Sequence, residues 1–160
     1  MSPTALAGVQ FTLSSVLFAL VAKWYISPAL NTRPLRAALV PLFLVHGLRY
    51  LPSSAFAPGQ IDPHVPANAM NTIVYGDLAS AMLAVVAALF LYYELSGAIA
   101  VAWIVNILTS LDWLNAGFVA ASNRLVTYPM GGNWYIINYY VPVIGIVHVM
   151  IFVRLLRRTP

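Results

Sequence analysis

Arg49, Asp77 and Asp112 are formal charges set in stretches of otherwise apolar sequence, where a charge is tolerated only against another charge or a wet cavity. A guanidinium offers a planar fork of donors that two carboxylates can share, so the simplest arrangement is Arg49 held by Asp77, Asp112 or both. One arginine and two carboxylates leave an excess negative charge, to be removed by a proton, by water or by an imidazolium, and His46 is the nearest imidazole by sequence geometry. A carboxyl kept neutral by burial can give a proton and a paired histidine can take one, which is the material of general acid/base chemistry or of a proton relay. His46, Arg49 and Tyr50 share a helical face through three- and four-residue spacings. Asn106, Thr109, Asp112 and Asn115 step three residues at a time and wind a polar stripe around their helix toward the same level. The candidate catalytic set is therefore His46, Arg49, Asp77, Asp112 and Asn115. The competing reading makes the same residues a polar knot that fixes helix register.

Two further histidines extend the chemistry. His148 follows Pro142 and Gly145, a pattern expected of a broken helix that lines a cavity. Counted inward from opposite faces, His46 and His148 fall near mid-membrane on antiparallel helices, and two facing imidazoles could clamp a haem iron. His64, beside Asp62 in a proline-rich segment, is a third candidate ligand. The cofactor-binding candidates are thus His46, His148 and His64, with haem b as the group they would hold. The chain has no cysteine, which excludes disulfides, thiolate metal sites and iron–sulfur clusters.

Positioning these residues falls to membrane helices. The 160 residues are 61% hydrophobic and 8% charged, with a mean hydropathy of +0.84, more apolar surface than a soluble core of this size could hide. A bilayer core of ~30 Å needs about 20 apolar residues per helix, and that ruler yields candidate spans at about 6–27, 35–56, 69–93, 98–121 and 133–156. The first run lacks a basic start and a clear cleavage site before Lys23, and reads as a retained span. Ser27-Pro28 through Arg33-Pro34 reads as a short turn. Residues 52–68, with Pro52, Pro58, Gly59, Pro63 and Pro66, read as an ordered loop or partial re-entrant turn.

Lys23, Arg33, Arg36, Arg154, Arg157 and Arg158 fall on one side of these spans and only Arg124 clearly on the other. The expectation is an all-α membrane protein, a five-helix transmembrane bundle in the bacterial inner membrane with N-terminus outside and C-terminus cytoplasmic. Because most of the +4 charge marks topology, nucleic acid is not expected as a partner. The expected partners are the lipid bilayer, a hydrophobic small molecule and further copies of the chain in a homo-oligomer. Gly76, Ser80, Ala84 and Ala88 form a small-residue stripe that lets neighbouring backbones approach, so the third span should be the central helix, with Asp77 beside the stripe.

With His46-Gly47-Leu48-Arg49, Tyr75-Gly76-Asp77-Leu78 and His148 followed by Ile151-Phe152 and Leu155-Leu156-Arg157, the chain resembles a family of uncharacterised small bacterial integral membrane proteins. That resemblance implies a fold and no activity. Over about a dozen residues, Asp112 and Trp113-Leu114-Asn115-Ala116-Gly117-Phe118 and then Ser122-Asn123, it is also similar to styrene oxide isomerase. This second resemblance implies a haem near the outer surface acting as a Lewis acid on an epoxide, with its ligand sought at His64, ahead of Pro66-Ala67-Asn68. The isomerase has four spans where this chain reads as five. Three functions follow as expectations: a membrane protein whose outer-half cavity binds a hydrophobic ligand or haem, an isomerase of hydrophobic epoxides, or a proton or ion conduit through Arg49, Asp77, Asp112, His46 and His148.

Overall fold

The computed structural model describes residues 1–157, so Arg158, one of the basic residues counted above, lies outside the described residues. Five helical rods follow one another, and no strand occurs among the described residues. Helix α1 runs Pro3–Asn31 and begins where Ser2 accepts a hydrogen bond from the Ala5 N–H, ahead of a proline that has no N–H to leave unpaired. The turn expected at Ser27-Pro28 is absent. A proline inside a helix lacks a donor and strikes the carbonyl four residues back, but the π-helical turn Ala22–Ile26 widens the backbone just before Pro28 and lets α1 continue.

The last rod, α5, uses the same device. It runs Asn133–Leu156, and its π-turn Ile136–Tyr140 precedes Pro142. The broken helix expected there is instead a widened, continuous one. The second rod departs most from expectation. Helix α2 covers only Leu35–Gly47, after which Leu48–Phe56 tightens into a 3-10 helix where Pro52 would stop an α-helix. Its 13 residues span roughly 20 Å, short of the ~30 Å a crossing needs. Helices α3, Ala67–Tyr92, and α4, Ala98–Ser122, complete the set. Four helices, α1, α3, α4 and α5, are long and apolar enough to cross a membrane.

Hydrogen bonds between rods fix their directions. Gln10 accepts from Trp134 Nε1 at 2.8 Å and Asn31 accepts from Arg154 at 3.0 Å, so α1 and α5 run side by side in the same sense. The Val45 carbonyl accepts from the Tyr140 hydroxyl at 2.9 Å and the Arg33 carbonyl from Arg154 at 3.2 Å, so α2 runs opposite to α5. Helix α3 packs on both α2 and α4, with Ser80, Ala84 and Ala88 buried as a central small-residue stripe requires. One apolar cluster lies toward the basic end of the bundle, around Leu39, Phe43, Ala84, Leu91, Ala102 and Ile151. Another lies toward the loop end, around Val65, Met70, Val74, Leu125 and Met130.

The proline-rich segment 52–68 is part of that second cluster. Its Asp62 N–H donates to the Pro129 carbonyl at 2.9 Å, and its Ser54 hydroxyl to Asn133 Oδ1 at 3.0 Å. Gly131 lies at φ +50°, with the Gln60 carbonyl where a side chain would begin, so only glycine closes this cap without strain. Because Ala84 is fully buried between neighbours, Ala84→Leu should destabilise the bundle by about 1–3 kcal/mol, whereas Val86→Leu on the exposed face should be near neutral. Thermal unfolding of the two purified variants in detergent checks this contrast.

Candidate functional site

The sequence-predicted charges meet. Arg49, 1% exposed, stands in the 3-10 segment just past α2 and reaches α3 and α4 together. Its Nε donates to Asp77 Oδ1 at 2.8 Å, with NH2 2.6 Å from the same oxygen. NH2 also donates to Asp112 Oδ2 at 2.7 Å, and NH1 to the Thr109 carbonyl at 2.8 Å. The Thr109 hydroxyl donates back to the Val105 carbonyl at 2.8 Å, and the two lone pairs of the Thr109 carbonyl let it accept from arginine within the helix. Asp112 additionally accepts from the Ser80 hydroxyl at 2.8 Å.

Gly76 makes this approach possible. A Cβ there would collide with Asp112 Oδ1, so the carboxylate lies directly over bare α3 backbone. With both carboxylates ionised the three side chains sum to a charge of −1 (+1 − 2), and the two aspartates, 13% and 22% exposed, carry that excess nearer solvent than the arginine does.

Two expected members are elsewhere. Asn115 lies on the exposed face of α4, because three steps of three residues at 100° each turn the stripe by half a revolution from the buried Asn106. Tyr50 is 49% exposed, since the 3-10 geometry after Leu48 replaces the four-residue spacing that would have kept it on the His46 face. His46 is buried but does not pair with a carboxylate. Both its ring nitrogens lack a hydrogen-bond partner, and its ring lies against that of His148, centroids 4.1 Å apart.

This imidazole pair forms a second polar centre. His148 Nδ1 lies 2.9 Å from Asn106 Oδ1 and 2.9 Å from the Ser110 hydroxyl. An amide oxygen only accepts, so Nδ1 carries the proton and Nε2 is left as a bare acceptor. The pair does not fit haem. Metal–nitrogen bonds of ~2.0–2.1 Å would hold the ligating nitrogens about 4 Å apart and the ring centres farther still, and rings already in contact leave no room for a porphyrin between them. His64 is mostly exposed on the loop, its Nδ1 2.8 Å from Asp62 Oδ1. The His64 N–H, and then its ring, hold the Asp62 carboxyl below its ordinary range. No group of three or more His, Cys, Asp or Glu able to hold a metal ion occurs among the described residues.

A cavity of about 110 Å³ lies beside the arginine centre, lined by Asp77, Met70, Ile73, Trp113, Ile137 and Val141 among others. Asp77 is its one acidic wall. Trp113 also lines it, and the indole Nε1 is buried without a partner. Sequence reading named Trp113 only within the segment similar to styrene oxide isomerase and gave it no role, since an aromatic residue in an apolar helix looks like any other. Ser110, four residues after Asn106, carried a spacing signal that the three-residue stripe obscured.

The chain matches the model of a family described as Domain of unknown function (DUF8737) over residues 6–156. It belongs to that family. No curated protein matches the chain, and no solved structure does. The residues matched include Arg49, Asp77, Asp112 and both buried histidines.

Removing Arg49 strands two carboxylates. Arg49→Leu should cost on the order of 3–5 kcal/mol, while Arg49→Leu with Asp77→Asn should cost less than the sum of the two single changes. Strict additivity in a thermal-unfolding double-mutant cycle would contradict the contact. Gly76→Ala should displace Asp112 and destabilise by about 1–3 kcal/mol, with a smaller effect when Asp112 is already alanine.

Proposed function

We propose that this is a polytopic protein of the bacterial cytoplasmic membrane that holds a small, mainly apolar ligand bearing one hydrogen-bonding group in the cavity beside Asp77. The observation that carries this reading is a single carboxylate, fixed by Arg49, on the wall of a mainly apolar cavity whose other polar lining residue besides Trp113 is Asn133. Asp77 Oδ1 serves the arginine, and the carboxylate retains acceptor capacity for a ligand hydroxyl or N–H. Trp113 supplies an indole donor on the same lining. A volume of about 110 Å³ suits a molecule no larger than about one ring, since a cavity of ~150 Å³ accommodates benzene.

In this reading α2 and its 3-10 extension form a fifth crossing. Lys23, Arg33, Arg36, Arg154 and Arg157 then mark the cytoplasmic side, with the N-terminus and the cap around 52–68 outside. The cavity falls in the outer half.

Epoxide isomerisation is a second reading, favoured by one observation: Trp113, Ala116 and Gly117, within the segment similar to styrene oxide isomerase, line the cavity. Haem fits neither this cavity nor the His46–His148 pair, and the ligand that resemblance implies, His64, is not part of the cavity lining. An absorption spectrum of purified protein without a Soret band removes the haem-dependent version.

The ligand reading is checked by thermal shift with single-ring alcohols and epoxides. A ligand at a hundredfold excess over its Kd should stabilise the wild type by ~2.7 kcal/mol, and Ala116→Phe, which fills the cavity, should abolish the shift. Equal stabilisation of both proteins would place binding elsewhere.

A further inference from the structure

Arg154 is a second buried guanidinium, 8% exposed, and it has no carboxylate partner among the described residues. Its NH1 and NH2 donate to neutral acceptors, Asn31 Oδ1 and the Arg33 carbonyl, and its Nε has no partner. None of the four acidic residues forms a salt bridge with it, since Asp77 and Asp112 serve Arg49, Asp62 serves His64, and Glu94 pairs with no cation among the described residues. A buried cation without a counter-charge is costly, so its position points to an anion from outside the chain.

Arg154 lines a groove of about 720 Å³ between α1 and α5. The groove is mostly apolar, with Phe11, Ala19 and Ile146 among its walls, and its charged residues are Lys23, Arg154 and Arg157, all basic. Trp113, packed where a Cβ on Gly145 would touch its ring, also lines the groove. Gly145 precedes Arg154 by nine residues on α5, roughly 14 Å, close to the depth of one leaflet of a ~30 Å hydrocarbon core. By the register that sets Gln10 beside Trp134 and Asn31 beside Arg154, Lys23 is level with Ile146, so the channel, one leaflet deep, carries Arg154 and Arg157 at one end and has the dimensions and polarity that a lipid requires.

We infer that the α1/α5 groove is a binding site for an anionic phospholipid, its phosphodiester on Arg154 and Arg157 and one acyl chain running toward Trp113. A zwitterionic lipid would bring its own cation to this wholly basic end, which favours the anionic class. The site is separate from the cavity beside Asp77 and holds whether or not that cavity binds a ligand.

The test uses a protein in which Trp24, Trp103 and Trp134 are phenylalanine, leaving Trp113 as the reporter, in phosphatidylcholine nanodiscs. Phosphatidylglycerol with brominated acyl chains, whose bromine quenches indole fluorescence on contact, should quench Trp113 at lower mole fraction than brominated phosphatidylcholine. Arg154→Gln should weaken that preference about fivefold, and Arg157→Gln, at an exposed position that folding tolerates, should weaken it in part. Arg36→Gln removes a charge outside the groove lining and should leave the preference intact. Inorganic phosphate in solution should not compete. Equal quenching by the two lipids, equal losses in the Arg154 and Arg36 variants, or displacement by free phosphate would each overturn the proposal.

Discussion

In hydrocarbon, apolar side chains gain little from one another that lipid does not already supply, so helices packed by apolar contact alone can rotate or slide at small cost. Arg49 removes that freedom. It requires Asp77 of α3, Asp112 of α4 and the Thr109 carbonyl at once, and only one relative rotation of the three elements satisfies all of them. The desolvation of three charges makes the network a poor source of net stability, and its contribution lies in the single arrangement it permits. Gly76 and Ser80 belong to the same constraint, one by leaving room for the Asp112 carboxylate and the other by donating to it.

The two polar centres differ in how their groups are satisfied. Around Arg49 nearly every donor has an acceptor, and the excess charge sits on the carboxylates that retain some exposure. Around His46 and His148 the reverse holds, with three of four imidazole nitrogens unpaired in the bundle interior. The first centre is therefore a fixed scaffold on which Asp77 is presented, whereas the second is held together chiefly by ring contact and by the Asn106 and Ser110 bonds.

Much of this was legible in the residues. Three charges in apolar sequence have few ways to exist, so their convergence followed from electrostatics alone. The small-residue stripe likewise announced the central helix. What was hidden is local backbone geometry: Pro52 signals the end of an α-helix without saying that nine residues become 3-10, and Pro28 reads as a stop until a π-turn is seen to absorb it. These changes of pitch moved Tyr50 off its expected face and carried α1 past its expected end. Asn115 failed for a simpler reason, since a three-residue step drifts and the stripe leaves the interior before it ends. For His46 the residues offered two neighbours, a carboxylate and the facing His148, and the structure sets its ring against His148.

Trp113 bounds the cavity beside Asp77 on one side and the groove between α1 and α5 on the other. A partition shared by two compartments cannot swing without enlarging one at the expense of its neighbour. Any shift of the indole imposed from the groove is felt in the cavity as a change of shape, and thermodynamic linkage makes the influence mutual. Gly145 sets the room available for that swing, because a single methyl group there would press on the ring.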